Sequence, residues 1–293
     1  MSATDGTPAN ANSLRGSEFR RLIAERRTWI WIGVPALALF IYVLTVNPAA
    51  SWIPPLIVAA VGVGVVFWIA DRNAGNRFWQ VYAETRGLEL GGRTSLPEAT
   101  PFLRQGNERY ATRTLSGQIV PGIVGTLGLF TYEETTVGAD GNSETKYYGF
   151  TFAMAEVPEC VAHMPELYVQ RKGGLRSLEK LEDVFRRNKR RVTLESAALG
   201  KRYEIFVGKD QDEVWTRRLF SPSFIVWLSE GPPQKFGFEL VDGTLVAFIP
   251  KHKEDATTLD SMAVATGAVA QRLLEEAAET SGAAPSAPGR SRS

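Results

Sequence analysis

Cysteine and histidine are nearly missing from this chain. One cysteine, Cys160, and two histidines occur in 293 residues. A single thiol excludes an intramolecular disulfide. Cys160, His163 and His252 together fall short of the four ligands that a structural zinc site takes. No serine lies in a Gly-x-Ser-x-Gly setting, which removes the nucleophile elbow. No internal repeat is present. Neither sign of charge dominates: 33 Lys and Arg face 32 Asp and Glu, for a net charge of +1. No global field therefore draws the chain to nucleic acid.

The most telling absence is local. From Thr28 to Ala70 no residue is charged. As one helix this run would be about 65 Å long, roughly twice a bilayer's hydrocarbon core. The length predicts two spans, 28–46 and 51–70, joined by a turn at Asn47–Ser51. Pro48 restricts Asn47 to extended conformations and ends the first helix. Pro54 and Pro55 fall in the first turn of the second, where a missing N–H is tolerated. Trp29, Trp31 and Trp68 group at one expected interface, Tyr42 and Trp52 at the other. Ala60 and Gly64 form a small-xxx-small pair. Arg15, Arg20, Arg21, Arg26 and Arg27 precede the run, and Arg72, Arg77 and Arg86 follow it. The positive-inside rule then predicts a multi-pass protein of the cell membrane with both termini cytoplasmic. A buried hairpin of a soluble protein, or a cleaved signal peptide in the first segment, are the competing readings.

The remainder predicts an α+β fold with mostly antiparallel sheet. Residues 1–14 and 281–293 read as disordered tails rich in small residues and proline. Residues 15–72 are the basic flank and hairpin, and residues 74–280 a cytoplasmic domain. The pattern of Phe78, Val81, Tyr82 and Leu88 predicts a helix over Asn76–Leu88 with Gly87 as its C-cap. Two aromatic and β-branched runs flank the turn cluster Gly138–Glu144, which predicts a hairpin of Leu127–Val137 with Thr145–Val157. Glu166–Gln170 and Lys201–Gly208 read as strands, and Leu175–Asn188 as a helix. Asp210 with Glu213 suggests a capping box. Ser221-Pro222 suggests an N-cap followed by proline at the first helical position. Asp242-Gly243 suits a two-residue turn that sets Leu240 opposite Leu245 and Phe238 opposite Ala247. On the other face of that hairpin Glu239 stands opposite Val246. Leu259, Met262, Val269 and Leu273 recur at helical spacing.

Few segments suggest chemistry. Gly117, Gly122, Gly125 and Gly128 invite a phosphate-loop reading, but no Gly-Lys-Ser/Thr follows, and strand bulges or close packing compete with it. Cys160 and His163 are three apart and raise a nucleophile pair against a small buried cysteine. His252 reads as exposed among charges. Glu133 and Glu134, adjacent on a strand, point to opposite faces and form no carboxylate pair. In the basic stretch Arg171–Arg191 cations outnumber acids. Arg186, Arg187, Lys189, Arg190 and Arg191 are its candidate contacts to anionic lipid, against a solvated face. Phe185 is the stretch's one aromatic, which disfavours nucleic acid.

Three segments carry a family resemblance. "YAETRGLEL" with "PFLRQGNERYATRTLSGQIVPG" sets a glycine after a helix and then an Arg-rich strand ending in Ser-Gly. "AEVPECVAHMPELYV" places Met164-Pro165 before a short strand. "LESAALGKRYEIFVGKDQDEVWTRRLFSPSFIVWL" runs from Leu-Glu-Ser through a strand and an acidic turn to a helix pair split by Ser-Pro. From Tyr82 to Ala277 the chain resembles an uncharacterised bacterial family of membrane-hairpin proteins, a domain of unknown function. It departs at Met164, where leucine is usual, and at Leu199-Gly200, where an aromatic is common. The resemblance implies two N-terminal transmembrane helices and a cytoplasmic α+β domain. It implies no activity and no catalytic residue. The expectation is a membrane-anchored binding or scaffolding domain that is not an enzyme. It takes no cofactor, and its partners are the membrane and another protein. A small-ligand sensor or a membrane-tethered hydrolase is the alternative.

Overall fold

The computed structural model describes residues 53–138, 141–172, 189–194 and 196–282, with isolated positions between 20 and 45. The chain separates into two compact units. The first contains helix α1 (Ile53–Arg86) and residues 254–256. The second runs over 87–253 and from 257 onward.

Helix α1 revises the reading of the apolar run. The expected second span and the expected helix over 76–88 are one continuous helix of 34 residues. Val66, Ala70, Ala74, Phe78 and Tyr82 recur every four residues, and all are buried. This stripe passes straight through Asp71 and Arg72, where a membrane span would end. Gly87 stops the helix at φ 64°, as the C-cap expectation required. Among the described residues no helix is long and apolar enough to cross a membrane. That overturns the expected multi-pass location in the cell membrane. The first expected span lies largely outside the described residues, as do the turn at Asn47–Ser51 and the helix at Leu175–Asn188.

The second unit is built on one sheet of nine strands. In chain order these are β1 (Glu89–Gly91), β2 (Glu108–Val120), β3 (Ile123–Val137), β4 (Ser143–Glu156), β5 (Glu166–Arg171), β6 (Lys189–Val192), β7 (Tyr203–Gly208), β8 (Gly237–Val241) and β9 (Thr244–Pro250). Their spatial order is β1-β2-β3-β4-β9-β8-β5-β7-β6, antiparallel at every step. Helix α2 (Ala197–Arg202) precedes β7. Helices α3 (Glu213–Leu219) and α4 (Pro222–Glu230) follow it, and α5 (Ala256–Ser281) closes the described chain. The coarse α+β, antiparallel reading therefore holds.

The hairpins form where turn chemistry marks them. Asp242 and Gly243 take φ 47° and 83°, and Leu240 pairs with Leu245 and Phe238 with Ala247, as expected. The β3–β4 hairpin pairs Leu127 with Ala153 and Thr135 with Thr145. Pro121-Gly122 turns β2 into β3, with Gly122 at φ 82°.

Both faces of the sheet are covered. One carries an aromatic cluster in which the Phe102 ring stacks on Phe248 at 4.1 Å and meets Phe150 edge-on at 5.1 Å. Phe102 comes from a 3-10 turn, Phe102–Arg104, that caps this layer. The other face, with Leu127, Ala153, Ala247, Phe238 and Val169 in register, is apolar and buried. In α5, Leu259, Met262, Val269 and Leu273 are fully buried. Gly267 there leaves no room for a β-carbon beside the Val120 side chain.

Helix caps place the pieces around the sheet's far end. Ser221 accepts from the Phe224 N–H, and Pro222 opens α4 as expected. The expected Asp210 cap is corrected: Asp212, directly before α3, accepts from the Val214 N–H at 2.8 Å. Helix α3 is stitched to α5 by Arg272, which donates to the Leu219 and Arg218 carbonyls, and by the Arg218–Glu276 ion pair at 2.7 Å.

Candidate functional site

The basic stretch ends in a strand that its sequence hides. Lys189-Arg190-Arg191-Val192 has little intrinsic strand preference, yet β6 forms because β7, Tyr-Glu-Ile-Phe-Val-Gly, offers it a ladder. Of the five candidate cations, Arg186 and Arg187 lie outside the described residues. The other three each meet a carboxylate. Lys189 pairs with Glu166 and lies 5.2 Å above the Tyr168 ring. Burial lowers its pKa. Arg190 donates to the Gln211 carbonyl at 3.0 Å and lies 3.8 Å from Glu213. Arg191 lies 3.0 Å from Glu204.

Beside this strand opens a groove of about 700 Å³. One wall is 190–194, that is β6 and the residues just after it. The opposite wall comes from α3 and α4, with Thr216, Phe220, Ile225 and Val226. Val226 is 58% exposed although apolar. Arg190, Arg191 and Arg217 line the groove against the single carboxylate of Glu213. Each guanidinium has five donors, so one carboxylate shared between Arg190 and Arg217 leaves donors to spare. The groove thus combines apolar side chains with three guanidiniums, two from β6 and one from α3.

A second cavity, of about 670 Å³, lies around the turn after β7. His163, Glu166, Lys189, Asp210, Asp212 and Trp215 line it. The His163 and Trp215 rings stack at 6.1 Å, and Gln211 donates its side-chain amide to the His163 carbonyl at 2.5 Å. The Trp215 indole N–H has no hydrogen-bond partner. Cys160 does not join them. It is buried, its thiol donates to the Val157 carbonyl at 3.0 Å, and burial pushes its pKa up to about 12. A thiol held so far from thiolate, with the nearby imidazole stacked on an indole, is a core residue rather than a nucleophile.

The glycine-rich segment resolves into packing. A β-carbon on Gly125 would collide with the Met154 carbonyl oxygen, and one on Gly128 with that of Arg113. The cavity of about 470 Å³ there carries Glu156 and Glu159 and no cation, the wrong sign for phosphate. His252 is exposed, as expected, with Nε2 3.1 Å from both Thr131 Oγ1 and the Phe130 carbonyl. Among the described residues no group of three or more His, Cys, Asp or Glu side chains could hold a metal ion.

One ionisable group escaped the sequence reading. Glu239, on the hairpin face expected to be the less apolar one, is completely buried. Its Oε2 accepts from the Phe102 N–H at 2.8 Å, while Oε1 has no partner. Burial pushes its pKa up to about 7, against the pull of the Phe102 N–H, the nearby Thr100 hydroxyl and the Arg104 charge. A Glu alternating with Phe238 and Leu240 gives no hint that aromatic residues far away in sequence will roof it. Glu239 lines none of the three cavities. No protein-family model, no curated protein and no solved structure matches this chain.

Proposed function

We propose that the α+β unit is a binding domain, and that a partner protein docks in the groove between β6 and the α3–α4 pair. The observation that carries this reading is the groove's composition: apolar side chains interspersed with three guanidiniums. Such a surface favours a segment that brings both aliphatic and acidic side chains. The buried groups with the most strongly shifted ionisation, Glu239, Cys160 and Tyr168, do not line this groove, which favours binding there over acid–base or nucleophilic chemistry.

A random peptide library selected against the full chain tests the proposal. The enriched sequences are expected to place Asp or Glu beside aliphatic residues. Val226→Arg should weaken them at least about tenfold, since it removes an apolar contact and adds a charge at an exposed position that the fold does not need. Peptides that bind wild type and Val226→Arg equally would sink the reading.

A further inference from the structure

Among the described residues, strand β6 is the last strand of the sheet. Only β7 pairs with it among the described strands. In an antiparallel ladder, alternate residues of such a strand turn their N–H and C=O groups away from the partner. The groove decides whether those groups are reachable. Successive residues of a strand point to opposite faces of the sheet. Arg190 is in register with Val207 and Val192 with Ile205, on one face; Arg191 is in register with Phe206, on the other. A cavity over one face would touch residues of one parity. This groove touches Arg190, Arg191 and Val192 alike, as a groove along the strand's outer edge would.

We infer that β6 accepts an extended acidic–aliphatic segment of a partner protein as a tenth strand, paired backbone to backbone within the groove. The inference rests on the binding reading above and adds to it the conformation and composition of what binds. At roughly 3.3 Å per residue, a segment of about six residues spans β6 and the residues that continue it. Its side chains alternate between the face of Arg190 and that of Arg191, with Phe220, Ile225 and Val226 lining the same groove. Charge also disfavours a second copy in this place. An antiparallel pair of β6 strands would set Lys189, Arg190 and Arg191 against the same residues, and like charges facing across a ladder repel. The cations that keep this edge from joining its own kind thereby select an acidic guest.

Fluorescence anisotropy with the full chain tests this using four labelled hexapeptides. These are alternating Glu-Val, alternating Lys-Val, and the Glu-Val peptide N-methylated on its glutamates or on its valines. The Glu-Val peptide is expected to bind at least about tenfold more tightly than Lys-Val. N-methylation should abolish binding in one register and change it less than about threefold in the other, because only alternate N–H groups enter the ladder. If Glu-Val binds and Val226→Arg weakens it, yet both methylated forms bind normally, the strand fails and the groove stands. If no acidic peptide binds, strand and groove fail together. A dimer in sedimentation that Val226→Arg dissolves would give the edge to a second copy and overturn the proposal.

Discussion

Glu239 shows what a single buried carboxyl does to a fold. It accepts from the Phe102 N–H and so ties the 3-10 turn to the middle of the sheet. Tyr168, its register partner on β5, is itself 2% exposed, and the Glu239 charge adds to the burial that holds its phenol protonated. With a folded pKa of about 7 against an ordinary 4.5, Glu239 keeps its proton in the folded chain at pH values where the unfolded chain has released it. Its contribution to stability is full below about pH 4.5 and declines as pH rises. It is lost above about pH 7, a change of about 3 kcal/mol at most. Glu239→Gln keeps the carbonyl acceptor and removes the titration. Urea midpoints measured from pH 4.5 to 8 should fall with pH more steeply in wild type than in Glu239→Gln. Parallel curves would refute the assignment.

At the scale of elements, turns and most caps were legible, the α3 cap was misplaced by two residues, and edges were not legible. Asp242-Gly243 fixed the β8–β9 register because only a few residue pairs accept two positive φ values in succession. Ser221-Pro222 announced α4 for a similarly local reason. Lys189–Val192 gave no such sign, since its strand character comes from β7 and not from its own residues. The same is true of the groove. Arg190 and Arg191 were visible in a basic cluster, but Arg217 and the apolar residues stand about thirty residues further along the chain. Helix α1 misled for another reason: lack of charge marks a run as apolar without saying where its helix ends. The β8–β9 turn also offers an element-level test. Gly243 has φ 83°, and a β-carbon there would lie 3.0 Å from Pro158 Cα and from Val161. Gly243→Ala should cost about 1–3 kcal/mol, read as a lowered denaturation midpoint with an unchanged urea slope.

Taken as a whole, the sheet joins two halves that follow each other in the chain but do not pair with each other. β1 to β4 form one meander and β5, β7 and β6 a second group; β9 pairs with β4, and β8 pairs with β5. The late β8–β9 hairpin is thus the link between them. During synthesis, at about 5–20 residues per second, both halves leave the ribosome before the hairpin does. Until residues 237–250 emerge, the inner edges of β4 and β5 have no partner in the sheet, and open edges invite pairing with other chains. Folding of this unit is therefore expected to wait until residues 237–250 have emerged. Ribosome-stalled chains that stop before Gly237 should stay protease-sensitive, while chains that display Pro250 and α5 beyond the exit tunnel should resist. Resistance already complete in the shorter chains would contradict it. The position of one hairpin in the strand order makes the nascent chain depend on whatever shields it from its neighbours while it waits.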